Sequence, residues 1–166
     1  MAITWANILE WQTGPLDEIA QTLFEASQGL REAYEMGQDD LNAIQSEGEA
    51  VTAMRATTIT NLASLERALT NVNGALMAIE GARDGVGHIL AQVNDVVADA
   101  TTMQCEIKAD GSVHPMASAP KTDLVLIDAS ALAIRVKKIV EYADRVDTDL
   151  YHALADINND RYTDGD

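Results

Sequence analysis

The sequence predicts an all-α protein: a long antiparallel helical hairpin plus a third long helix, with one short β-hairpin near residues 105–114. Three observations predict it. The first is a heptad run through the middle of the chain. One series is Leu62, Leu69, Leu76, Arg83, Leu90 and Val97, and the other is Leu65, Val72, Ile79, Val86, Val93 and Ala100. Eleven of these twelve positions are apolar, Arg83 being the exception. Apolar residues alternating three and four apart form a narrow stripe on a helix, and such a stripe needs a partner helix. The second observation is composition. One Phe, two Trp and four Tyr stand beside abundant Ala, which favours close-packed helices over a sheet sandwich. The third is that the period changes to two at Cys105–Val113, around Asp110-Gly111, which is a short-hairpin signal.

Thr4 reads as the N-cap of a short first helix over Trp5–Trp11, with Trp5, Ile8 and Trp11 on one face. Thr13-Gly14-Pro15 ends it, and Pro15 suits the first turn of the next helix. Leu16, Ile19, Leu23, Leu30, Leu41 and Ile44 mark that helix from about 16 to 45, with Gly29 and Gly37 weakening it inside. The reversal falls at Ser46-Glu47-Gly48, where Ser46 and Glu49 have capping-box spacing. The heptad helix then runs to about Met103. Gly81, Gly85 and Gly87 predict a kink or loosened turn within it, not a domain boundary. After the β-hairpin, His114–Pro120 reads as loop. Thr122 caps a last helix over about 123–158, with the stripe Leu124, Ile127, Ala131, Ile134, Val140, Ala143, Val146, Leu150 and Ile157. The predicted organisation is one elongated helical bundle domain over 1–158 and a polar flexible tail over 159–166.

Charge narrows the partners. The net charge is −16, so nucleic acid is a poor partner and an anionic bilayer is repelled. Before Arg55 the only basic residue is Arg31, set against ten acids. No apolar run approaches the roughly 20 residues that span a bilayer, so no membrane insertion is expected. The N-terminus lacks a basic segment ahead of its apolar stretch and does not read as a secretory signal peptide. One cysteine, Cys105, permits no intramolecular disulfide.

Catalytic chemistry is not legible. His88, His114 and His152 lie in three separate segments, none with a second His or Cys at i+3 or i+4, so no metal site and no cofactor are expected. Cys105 has no adjacent base and reads as a small apolar residue. Gly81–Gly87 lacks the Lys-Ser/Thr of a phosphate loop. The acidic end at Asp156–Asp160 has Arg161 where a calcium loop needs Gly. No catalytic residue is assigned. A stripe of this kind points to binding, with Leu62, Leu65, Leu69, Val72, Leu76, Ile79, Val86, Leu90 and Val93 as the expected helix seam.

Taken together, the Trp-bearing opening (Ile3-Thr-Trp5 and Trp11), the turn at Gly48-Glu49-Ala50 and the hairpin at Ile107 to Asp110-Gly111-Ser112-Val113 form a pattern. With the final Ala143-Asp144 and Asp147-Thr148-Asp149-Leu150, it resembles the WXG-like helical superfamily of type VII (ESX) secretion. The nearest forms are the long actinobacterial ones that precede secreted toxins or hydrolases. Where that family has Trp-X-Gly, this chain has Ser46-Glu47-Gly48. The resemblance implies a helical partner, either a second copy or a small WXG-like protein, together with secretion machinery. It also implies an export signal of Tyr followed four residues later by an acid, matched here by Tyr162 and Asp166. The implied itinerary is cytoplasmic residence followed by secretion without a cleaved signal peptide. The competing reading of the same stripe is an intracellular scaffold, adaptor or phage structural protein.

Overall fold

The computed structural model describes residues 2–160 and bears out the mostly helical fold. In chain order the elements are α1 (Trp5–Leu9), α2 (Gly14–Ala43), α3 (Glu49–Thr102), β1 (Cys105–Ile107), β2 (Val113–Pro115) and α4 (Asp123–Asp160). The chain divides into two compact units. The first holds Met1–Leu16 and Gly81–His152, the second Asp17–Glu80 and Ala153–Asp166.

The first unit contains the core. Trp5, Ile8, Ile89, Val93, Val96, Ala100, Cys105, Leu132, Val136 and Ala143 belong to one buried apolar cluster. Helix α1 is fixed at its start by a capping box, with the Thr4 side chain accepting from the Asn7 backbone and the Asn7 side chain from that of Thr4. Within this unit α3 and α4 run antiparallel. The rings of His88 and Tyr142 meet edge to face at 5.7 Å, and further along, Arg135 pairs with Asp99 at 2.5 Å. Val146 packs onto Gly85, where a methyl group would lie 2.8 Å from Val146 Cγ2. Gly85 is therefore a close-packing position. Helix α3 continues unbroken through Gly81, Gly85 and Gly87, and the two units divide at Glu80/Gly81.

The β-hairpin pairs Cys105 with Pro115, Glu106 with His114 and Ile107 with Val113. Asp110 Oδ1 closes its turn by accepting from the Ser112 amide at 2.9 Å and the Ser112 hydroxyl at 2.6 Å. Gly111 has φ +83 and lies against Trp5 Cβ, 3.3 Å from where its own Cβ would be. Backbone conformation and crowding both select glycine there.

The second unit is a helical hairpin closed by the end of α4. Residues 17–43 of α2 run antiparallel to residues 49–80 of α3. Ser27 Oγ donates to Asn73 Oδ1 at 2.7 Å, and Leu62 lies over Gly37, 2.7 Å from where a Cβ would be. That approach gives Gly37 a packing role inside α2. The expected Ser46–Glu49 capping box is replaced by a glycine cap. The Gly48 carbonyl accepts the Thr52 amide at 2.9 Å, and Gly48 has φ +139, which a side chain disfavours.

The predicted stripe of α4 needs correction over its first half. Leu124, Ile127 and Ile134 are 65%, 63% and 57% exposed, and Ala131 is exposed too. Val125, Ala129, Leu132, Val136 and Ile139 are buried instead. Of residues 124–136 only Asp128, Ser130 and Arg135 are polar, and apolar residues stand on both the inward and the outward side, so periodicity alone could not choose the inward one.

Candidate functional site

The candidate site is a helix–helix surface, because the chain's distinctive feature is the stripe on α3. Its expected residues fall into two groups. Leu62, Ile79, Val86 and Val93 are buried, while Leu65, Leu69, Val72, Leu76 and Leu90 are half-buried. One heptad series, Leu65 to Ala100, stays on the inward face through both units. The other changes. In the second unit it is Leu62, Leu69 and Leu76, and in the first unit Ala82, Ile89 and Val96 take its place, all buried. Arg83 stands aside, ion-paired to Asp84 at 3.1 Å, and Val97 is 43% exposed. The apolar phase across Arg83 is thus kept in one series and shifted by one residue in the other. An α-helix of 3.6 residues per turn cannot hold a strict seven-residue repeat on one fixed face, and such a shift accommodates it.

In the second unit the burial is sparse. Among its described residues only Ala20, Ser27, Leu62 and Ile79 are buried. Phe24, Met36, Met54, Ile59 and Met77 are 49–74% exposed. The two helices cover each other along one line, Ile157 from the end of α4 lies over Gly74, and the large side chains named above stay open. Midway along that line sits the Ser27–Asn73 hydrogen bond, a polar layer of the kind that fixes register at a cost in stability. Stripe counting missed it, although Asn71 and Asn73 stand out inside the apolar run. At the tip of the hairpin, Arg55 Nη2 donates to the Ile44 carbonyl, and Ser46, Glu47, Gly48, Thr52, Arg55 and Ala56 are among the residues that line an open depression of about 640 Å³. The expected turn residues Ser46, Glu47 and Gly48 all lie on its wall.

The first unit carries a shallow groove of about 380 Å³ lined by Trp11, Leu16, Val86, Val146 and Leu150, with Glu10 and Asp147 at its rim. Trp11, expected on one face of the first helix with Trp5 and Ile8, lies just beyond the end of α1 at Leu9 and is half-buried in this wall.

Among the described residues no group of three or more His, Cys, Asp or Glu could hold a metal ion. His114 meets Ser112 at 3.0 Å, and His88 meets Gln92 at 3.1 Å. Cys105 is 1% exposed, and burial pushes its thiol pKa up, with the Asp128 carboxylate adding to the effect. A protonated, enclosed thiol is a poor nucleophile. Asp110 is held below the usual carboxylate range, first by the Ser112 hydroxyl and then by the Ser112 amide.

Among the described residues no helix is long and apolar enough to cross a membrane. Tyr162 and Asp166 lie outside the described residues, and α4 extends to Asp160, into the segment expected to be tail. In comparison with known proteins, the chain matches no family model, no curated protein and no solved structure.

Proposed function

We propose that the chain is a non-enzymatic helical substrate, or targeting module, of a type VII (ESX-like) secretion system, acting by helix–helix interaction with a partner. The observation that carries this reading is the second unit. Its hairpin buries four residues while Phe24, Met36, Met54, Ile59 and Met77 remain open. Isolated helix pairs gain little from propensity alone and depend on packing an apolar face. A partner contributing helices would cover the half-buried seam at Leu65, Leu69, Val72 and Leu76 from its open side. That partner is a second copy or a small WXG-like protein. The WXG-like pattern of the sequence supplies the rest of the proposal: residence in the cytoplasm, recognition by secretion machinery, and export without a cleaved signal peptide.

The test is export from an actinobacterial host with its type VII ATPase intact or inactivated. The protein should reach the culture filtrate only when the ATPase is active, and Tyr162→Ala should abolish export without changing thermal stability. Retention in the cell in both strains, or release that ignores the ATPase, would contradict the proposal.

A further inference from the structure

A second apolar surface lies on the outer face of α4, in the first unit and separate from the hairpin on which the proposed function rests. Leu124, Ile127, Ala131 and Ile134 are spaced three, four and three apart. They form one stripe, with the three large side chains 57–65% exposed. The opposite face of the same turns carries Val125, Leu132 and Val136 into the core, so the helix is anchored on one side while its outer stripe is left open by the described residues. The exposed side chains amount to roughly 300–600 Å², the size at which an apolar patch on a monomer is often functional.

Charge identifies the occupant. The stripe begins beside Asp123 and ends beside the exposed Lys137 and Lys138. We propose that two copies of this chain pair antiparallel along this face, about a two-fold axis near Ala129–Ser130. Leu124 then meets the partner's Ile134, and Ile127 meets the partner's Ala131. On the flank, Asp123 meets the partner's Lys137, and symmetry repeats every contact. These two residues occupy the flanking positions that face each other in an antiparallel pair. A parallel pairing would set Asp123 against Asp123 and lysine against lysine, so the charge pattern selects the antiparallel one. Lys137 is free to exchange partners, since its intrahelical contact with Glu141 is long, at 3.8 Å, and both side chains are more than half exposed. On the other flank Arg135 is engaged by Asp99. Asp128, on that same flank, is half-buried and less open to a partner than Asp123 or Lys137. An acidic chain of net charge −16 pairing through one of its lysine-bearing segments also limits its overall repulsion at ordinary ionic strength. The patch is small by the standard of permanent dimers, so the association is weak and reversible.

Sedimentation velocity of the whole protein at about 0.15 M salt tests this over a dilution series. A monomer–dimer equilibrium is expected. Ile127→Glu should weaken it at least thirtyfold or so, as truncating a central contact does, while leaving the urea midpoint of the monomer unchanged. Asp123→Lys and Lys137→Asp should each weaken it several-fold, and the double swap should restore it. A monomer at every concentration would overturn the proposal. So would a dimer indifferent to Ile127→Glu, or a double swap no better than the single changes. Binding of the monomer to phosphatidylglycerol vesicles, lost in Ile127→Glu, would assign the face to a membrane surface instead. None of these outcomes depends on export, so the proposal can fail while the secretion reading stands, and the reverse.

Discussion

Leu132 and Ile134 sit two residues apart on α4, and their substitution by alanine removes the same number of carbon atoms. The structure gives them opposite fates: Leu132 is 1% exposed inside the core cluster and Ile134 is 57% exposed. Leu132→Ala forfeits the transfer free energy of three buried carbons, at about 0.8 kcal/mol each. It also leaves a cavity, for a total of roughly 2–5 kcal/mol. Ile134→Ala loses less than half that burial, and alanine's better helix propensity returns a few tenths of a kcal/mol, leaving about 0.5 kcal/mol either way. At about 2–4 °C per kcal/mol for a chain of this size, the first change should lower Tm by roughly 10 °C and the second by 2 °C or less. The assay is urea and thermal melting followed by tryptophan fluorescence. Trp5 and Trp11 both lie in the first unit, so the signal reports the unit that the substitutions touch. The protein should be dilute enough to remain monomeric. Equal losses, or a larger loss for Ile134→Ala, would show that α4 turns its other face to the core.

Three further outcomes follow from particular contacts. Gly85→Leu should destabilise the first unit by about 1–3 kcal/mol, because the added side chain must displace Val146; a neutral melt would refute the close approach. Native Cys105 should resist iodoacetamide at pH 8 and react fully in urea, as follows from its burial. Its raised pKa means that the native state holds the proton more tightly, so its contribution to stability is complete below the ordinary thiol value of 9.0 and is lost as pH rises through the folded pKa; rapid native labelling would contradict the enclosure. Ser112→Ala should bring the Asp110 pKa up toward the ordinary value of 3.8 in a carboxyl NMR titration. The stabilisation from this depressed group is present above that value and is lost as pH falls through the folded pKa. An unchanged titration would remove Ser112 as the cause.

The helices and the β-hairpin were legible because their signals are local. Thr4 caps, the heptad repeats, and Asp110-Gly111 turns the chain. What the sequence hid depends on which face meets a neighbour. On α4 apolar residues from Leu124 to Val136 stand on both the inward and the outward side, so the pattern left the phase open, and packing with Ile89, Val93 and Val96 decided it. On α3 one series is half-buried at Leu65 and Val72 and buried from Ile79 to Ala100, but the change from Leu76 to Ala82 was masked by Leu90 and Val97, which are apolar yet lie off the core. Gly37 and Gly85 looked like weak points in their helices. Each is the place where a neighbouring side chain, Leu62 or Val146, comes closest. The Ser27–Asn73 layer joins residues 46 apart in sequence, and no local pattern announces such a pair.

The proposed function requires that the α2–α3 hairpin is poorly packed until a partner covers it, while the first unit has a buried core of its own. Hydrogen exchange read by mass spectrometry on the monomeric whole chain tests this most directly, because amides in poorly buried segments open at low free energy. Residues 86–100 of α3 and 125–143 of α4 should exchange slowly, and residues 17–43 and 49–76 should exchange much faster, within the same molecule. Equal slow protection along all of α2 and α3 would mean that the hairpin is stable without a partner, and the claim would fail.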